Sequence, residues 1–318
     1  MLKKLSIIIF LASPLFACAQ QQAIGERTFR YKDTLRNRPV TTEVWYPTDE
    51  DNSKASTPAQ YPFIHIPTIR GAKVQAKKHP LVMISHGTGG GRMTLEWLAD
   101  ILVQHGFIVA AVDHYGNTYD NKIAIDFVTP WQRPQDISFA LTQLLKDKDF
   151  GQAIDANRVG AAGFSIGGYT VIALAGAKLN LEAFTEYSNT PGGVKEMTLP
   201  EFPNLAAAIN EDEIRASFAK SPDLKDRRIK AVFAICPAIG QGFTVKSQFK
   251  LVDIPVYIVG AASDSIAPVK TNAMHYHQLI KGSKLLIIPG KAGHYVFLNE
   301  ATEQAKRGAE FLFSDDAF

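Results

Sequence analysis

Cysteine is nearly absent from this chain. Its 318 residues hold two, Cys18 and Cys236. Cys18 falls in an N-terminal leader, so an internal disulfide is not expected even in an exported protein. Cys236 sits in the strand-like run of residues 231–237 and reads as a small core residue, not a nucleophile. Charge of one sign is not in excess. The net charge is +3, and Lys and Arg are spread along the chain without a basic stripe, which argues against a nucleic acid partner. The early apolar run of residues 5–12 is too short to cross a bilayer. There is no internal repeat and no low-complexity tract. Metal ligands are sparse. His275 and His277 are two apart on an expected helix and cannot face one ion together, and Asp113-His114 stands as an isolated pair. No metal and no cofactor are expected.

What is present begins with Lys3 and Lys4 followed by that short apolar run, the pattern of a secretory signal peptide over residues 1–19. Two processing sites compete. Ala17-Cys18-Ala19 offers a small-x-small cut before Gln20, and Leu15-Phe16-Ala17-Cys18 resembles a bacterial lipobox in which Cys18 would carry a lipid anchor, with Phe16 bulky for that pattern. Either reading implies export, to the periplasm or cell envelope. Residues 20–25 read as a flexible leader to the body.

The body, residues 26–318, contains 46% hydrophobic residues across the chain, enough for one large core. Residues 28–31 and 40–46 alternate like antiparallel strands near a sheet edge. Residues 49–60 read as a loop, and 61–76 as a loop or short strand. Then apolar strands alternate with helical patterns. The strands are residues 81–85, 107–112, 158–162, 229–235, 254–259 and 284–288. The helices are 93–105, with Leu95, Leu98, Ile101 and Leu102 on one face, then 133–145, 169–175, 269–280 and 300–313. Residues 117–130 read as a loop and 155–158 as a turn. Such alternation means a mostly parallel sheet with crossover helices on its faces. The pattern breaks over residues 177–228, which are polar and carry Pro191-Gly192-Gly193, with weak helix signals at 202–209 and 211–220. This insertion reads as a small helical cap above the sheet's carboxyl edge, or as a surface decoration. Tyr187, Phe202 and Phe218 would line a pocket there or pack the cap onto the body.

The chemistry gathers around Gly163-Phe164-Ser165-Ile166-Gly167-Gly168. A strand precedes it and an apolar helix follows, the context of a strained turn that projects a serine hydroxyl from the sheet. A glycine-rich turn with a capping serine would give the same five residues. A serine hydroxyl needs a neighbouring base to attack at neutral pH. His294, in the glycine-rich loop after the last strand, has the position for one. The imidazole needs an acid to fix its tautomer. Asp264, after the strand at 254–259 and before Pro268, fits, although it could instead cap the helix that follows. The alternative location, after the strand at 229–235, reads Cys236-Pro237 and offers no acid. Developing negative charge on the attacked oxygen needs backbone donors. Ile166 offers one N–H, and Thr88, in His86-Gly87-Thr88-Gly89-Gly90, offers the other. That loop lacks the lysine of a phosphate-binding loop. His86 would orient the loop without titrating.

Three segments, residues 84–90, 105–114 and 163–168, resemble α/β-hydrolases of the platelet-activating factor acetylhydrolase and dienelactone-hydrolase-like group. The order Ser165, Asp264, His294 matches that fold. The resemblance implies hydrolysis of carboxylic esters, with short-chain or lipid-like acyl groups, without cofactor or calcium. Two departures stand out. The acetylhydrolases carry the acid where Cys236 stands here, and a histidine where Phe164 stands, so platelet-activating factor itself is not implied as the substrate. A peptidase or amidase using the same three side chains, and a non-catalytic binding protein of the envelope, remain alternatives. Oligomeric state is not legible.

Overall fold

A computed structural model describes residues 21–60, 62–198, 202–204 and 209–308. The expected signal peptide and Cys18 lie outside the described residues, as do parts of the expected helices at 202–209 and 300–313. Nine strands form one sheet in the order β3-β1-β2-β5-β4-β6-β7-β8-β9. They are β1 (Ile24–Asp33), β2 (Arg38–Pro47), β3 (Ile69–Arg70), β4 (His79–Ser85), β5 (Ile108–Val112), β6 (Ile154–Phe164), β7 (Ile229–Ile235), β8 (Val256–Ala261) and β9 (Lys284–Ile288). From β5 through β9 every pairing is parallel, while β2 runs antiparallel to both β1 and β5. The α/β class and the antiparallel edge follow the sequence reading.

Strand residues alternate between two cores, as a period of two requires. Ile108, Ala110 and Val112 of β5 face one core, which also takes Ile137, Ala140, Leu141 and Leu144 of a long helix. Val109 and Ala111 face the other, packed under Leu95, Leu98, Ala99 and Val103. The helices of the body up to the cap are α1 (Glu96–Gln104), α2 (Ala124–Val128), α3 (Gln132–Lys146), α4 (Phe150–Ala153) and α5 (Ile166–Ala175). The cap adds α6 (Leu181–Ser188), α7 (Pro191–Glu196) and α8 (Glu211–Ala219), and the body resumes with α9 (Ala273–Leu279) and α10 (Glu303–Gly308).

The expectations fail at local points for physical reasons. Ile101 is exposed, because the buried face of α1 runs through Ala99 and Val103. Residues 24 and 25 belong to β1, and residues 155–158 to β6, not to a leader and a turn. The loop at 117–130 contains α2. In the cap, Pro191-Gly192-Gly193 opens a helix instead of breaking one. Proline is well placed in a first helical turn, and the Thr190 side chain accepts the Gly193 N–H as a cap.

Strand register brings the carboxyl ends together. Ser85 pairs with Val112 and with Gly163, Phe164 with Ile235, and Ile235 with Val259. The loops after β4, β6, β7, β8 and β9 therefore open on one edge. Two glycines let them close on each other. A Cβ at Gly167 would lie 2.0 Å from the Ser85 carbonyl oxygen, and one at Gly163 would lie 2.0 Å from the Gly167 oxygen. Both neighbours are backbone and cannot swing away. Gly167→Ala is expected to destabilise the fold by about 3 kcal/mol or more in denaturant titration, at or above the upper end of overpacking costs. A second expectation concerns pH. Glu26 of β1 is fully buried beside Thr68 and Arg70, and burial, with Glu43 adding to it, pushes its carboxyl from 4.5 up to about 7. A raised folded-state value means that this group's contribution is full below about 4.5 and lost as pH rises through about 7. Glu26→Gln should therefore raise the melting temperature at pH 8 relative to wild type and flatten its decline between pH 5 and pH 8.

Candidate active site

Ser165 sits in the turn between β6 and α5. Its φ is +57°, a left-handed value that non-glycine residues seldom take. The turn is held by bonds on both sides of the serine. The Ser165 N–H donates to Ile235 O at 2.8 Å, and its own carbonyl accepts from Gly168 N at 2.8 Å and Ala238 N at 3.0 Å. The side chain stands at the start of α5, whose first N–H groups have no partner within the helix. Ile166 is the first of these. The strained elbow expected from the sequence is the elbow observed.

His294 follows β9 and is 3% exposed. Its ring packs on that of Phe164, the residue before the serine, with centroids 4.7 Å apart. Its Nδ1 lies 2.7 Å from Oδ2 of Asp264. With the proton on Nδ1, Nε2 is left as the acceptor, the tautomer that a base for Ser165 requires. The other oxygen of Asp264 accepts the N–H groups of Ile266 at 2.9 Å and Ala267 at 2.7 Å. Asp264 does not cap α9, where Asn272 holds the cap position. Ser263 stitches the acid's loop to the histidine's loop. Its N–H donates to Ala292 O at 2.9 Å, and its hydroxyl to Gly290 O at 2.9 Å.

Cys236 completes this corner. Its sulfur, an Asp264 oxygen and a His294 nitrogen lie within 4.8 Å of one another, the one such metal-type cluster among the described residues. The atoms are already engaged with each other. Burial, and then the Asp264 carboxylate, push the Cys236 thiol well up, so it stays a thiol beside the carboxylate. This is a core residue, as expected, that also touches the acid.

The loop after β4 approaches the elbow closely. A Cβ on Gly87 would lie 2.9 Å from the Phe164 ring and 3.3 Å from the Ser165 Cβ. Its last three amides are claimed. Gly89 donates to Asn117 Oδ1 at 2.9 Å, Gly90 to Gly87 O at 3.2 Å and Gly91 to Thr94 Oγ1 at 3.0 Å. Among the described residues no acceptor takes the Thr88 N–H. His86 binds through both ring nitrogens, Nδ1 to Gly87 O at 2.6 Å and Nε2 to the His114 N–H at 3.1 Å. Burial, followed by the charge of Arg133, holds it well below the usual imidazole range.

His114 corrects the sequence reading. Asp113-His114 is no isolated pair. His114 is fully buried, with Nε2 2.9 Å from Ser85 Oγ and Nδ1 2.9 Å from Asp136 Oδ2. Periodicity exposes no such relay, because its members come from three elements. His275 and His277 are engaged separately, with Phe243 O and Ser283 Oγ.

Ser165, Ile166, Thr88 and His294 all line one cavity of about 930 Å³. Cap residues roof it, among them Leu181, Phe184, Met197, Phe202 and Ile214. Of the three aromatic residues considered for that role, Phe202 lines the cavity. Phe218 packs instead on Trp131, with centroids 5.0 Å apart, and Tyr187 donates to Glu196 at 2.7 Å. Glu196, at the end of α7, ties the cap to the body through Gln241 and through Thr271 at 3.2 Å. No motif or periodicity marks this latch.

Comparison with known proteins shows what the chain is similar to. A family model described as platelet-activating factor acetylhydrolase, isoform II, matches residues 53–129. Cutinase est1 of Thermobifida alba is 24% identical over 226 residues, covering 70% of this chain and 53% of that protein. Cutinase est2 of the same organism is 31% identical over 104 residues, or 32% of each chain. The chain thus spans about half the length of the first of these relatives, and a third of the second. Among solved structures, a ferulic acid esterase from Streptomyces cinnamoneus superposes with a TM-score of 0.59 at 19% identity, over 94% of this chain and 89% of that one. The sheet order and the structural likeness give the chain an α/β-hydrolase fold, and the family model makes residues 53–129 similar to the platelet-activating factor acetylhydrolase group.

Proposed function

We propose that this chain is an exported serine hydrolase that cleaves carboxylic esters through Ser165, His294 and Asp264. The observation that carries the proposal is the meeting, in one cavity, of a strained serine, a histidine hydrogen-bonded to a buried carboxylate, and a backbone N–H without an acceptor. The names of the relatives, two cutinases and a ferulic acid esterase, support an ester as the substrate. The N-terminal leader supports export, with Cys18 as a lipid anchor if the lipobox is the site used.

In this reading Ser165 Oγ attacks the ester carbonyl carbon while His294 Nε2 takes the hydroxyl proton. The carbonyl electron pair moves onto oxygen, and the N–H groups of Thr88 and Ile166 stabilise it. Collapse of the tetrahedral intermediate breaks the bond to the alcohol, which leaves with the proton from His294. Water then repeats the sequence on the acyl-enzyme, giving the carboxylic acid and free Ser165. Asp264 remains ionised and stabilises the imidazolium at each stage.

The cavity bounds the acyl group. About 930 Å³ under an apolar roof is far more than an acetyl group fills. Each buried methylene stabilises binding by about 0.8 kcal/mol. On p-nitrophenyl esters, kcat/KM should therefore rise from acetate to octanoate. A fall along that series would contradict the assignment of the apolar roof to the acyl chain.

Three substitutions test the chemistry. Ser165→Ala should abolish labelling by a fluorophosphonate probe and lower kcat by about 10⁴-fold or more, with His294→Gln and Asp264→Asn losing about 10³- to 10⁴-fold. Full labelling of Ser165→Ala would rule this serine out. Turnover of peptide p-nitroanilides at rates matching the esters would instead identify an amidase.

A further inference from the structure

Behind the loop that carries Thr88 lies a buried cation that the proposed reaction does not use. Arg133, in the first turn of α3, is 1% exposed. One of its terminal nitrogens donates to the backbone oxygen of His86. Its Nε and its other terminal nitrogen have no partner among the described residues. The nearby carboxylate does not neutralise it by contact. One oxygen of Asp136 pairs with Arg38 at 3.0 Å and Arg36 at 2.8 Å, and the other meets His114 at 2.9 Å. A buried charge without a contacting counter-charge is costly, and an apolar side chain of similar length would fill the same space with less penalty. A buried charge carried at that cost points to a use for it.

The use follows from what it touches. The carbonyl of His86 receives Arg133. The ring of His86 then donates from Nδ1 to the Gly87 carbonyl, which also accepts from Gly90 N. That carbonyl belongs to the same peptide unit as the Thr88 N–H. Fixing and polarising one end of a peptide orients the other end and makes it a stronger donor. The arrangement works only while His86 is neutral, because its Nε2 must accept from the His114 N–H. A second proton would set two donors against each other. Arg133 lies close enough to both histidines for its charge to disfavour that proton.

We propose that Arg133 is a positioning residue for ester cleavage: its buried guanidinium holds the backbone at His86–Thr88 so that the Thr88 N–H faces the oxyanion, and it keeps positive potential behind that donor. This inference rests on the ester-hydrolase reading above. The test compares Arg133→Met and Arg133→Lys with wild type on a p-nitrophenyl ester, with melting temperature read on the same samples. Arg133→Met is expected to lower kcat about tenfold or more, since loss of a direct oxyanion donor costs about 10²- to 10³-fold. KM should stay within about twofold of wild type, and the melting temperature should be equal or higher. Arg133→Lys, which keeps the charge, should recover part of kcat. A merely structural arginine would give the opposite pattern, a lower melting temperature with kcat kept in the folded fraction, and that result overturns the proposal. So does a lysine variant no faster than the methionine variant. If Arg133→Met does not fold, Arg133→Gln, which keeps a donor without the charge, carries the same comparison. There, kcat lost at unchanged KM supports the proposal and kcat retained overturns it. A wild type that turns over no ester overturns this inference and the ester-hydrolase reading together. An active wild type with an unaffected Arg133→Met overturns this inference alone.

Discussion

The left-handed turn at Ser165 is the constraint on which the rest of the molecule depends. A non-glycine residue at φ +57° persists only where its surroundings over-determine it. Here the restraint comes from β7 and the loop beyond it, through Ile235 and Ala238, and from the first turn of α5 through Gly168. The close approach of Gly167 to the Ser85 and His86 carbonyls then locks the elbow against the end of β4. Strand pairing, helix start and neighbouring loop are thus parts of one arrangement. Its effect is to hold a hydroxyl clear of the sheet, at the positive end of a helix, before any substrate is present.

Around that point the carboxyl edge is built by stitching loops to each other. Ser263 binds the histidine's loop to the acid's loop. Asp264 is fixed by two amides on one oxygen and by His294 on the other. The Thr88 loop is held from behind by His86, Asn117 and Thr94. Each restraint uses a short polar contact that burial shields from water, where such contacts count for most. The cap rests above on aromatic contacts, such as Phe127 against Phe202, and on the Glu196 latch. Rigid chemistry below and an apolar roof above is the division of labour that the ester-hydrolase reading requires.

Much of this was legible in the residues. The elbow motif, the glycine-rich loop after β4, and Asp264 and His294 each stand at the end of an apolar strand, and strand order converts those positions into proximity. What stayed hidden depends on side chains from elements far apart in sequence. His114 reads as an isolated histidine until β5 is set beside β4 and α3, and Arg133 reads as an ordinary charge at a helix start until its helix is seen to bury it. The cap helices were obscured because Asn180 and Thr190 work as caps, and those residue types mark loops equally well. The buried face of α1 departs from its apolar spacing at Ile101, which is turned to solvent while the smaller Ala99 is buried.

The central claim is that the hydroxyl of Ser165 attacks a carbonyl whose oxygen is received by two backbone N–H groups. A crystal structure of the protein after inactivation with a p-nitrophenyl alkylphosphonate tests it most directly. The account predicts phosphorus bonded to Ser165 Oγ, with the phosphonyl oxygen about 2.7–3.1 Å from both the Thr88 and Ile166 nitrogens. Phosphorus on another residue, or a phosphonyl oxygen turned away from both amides, would contradict it.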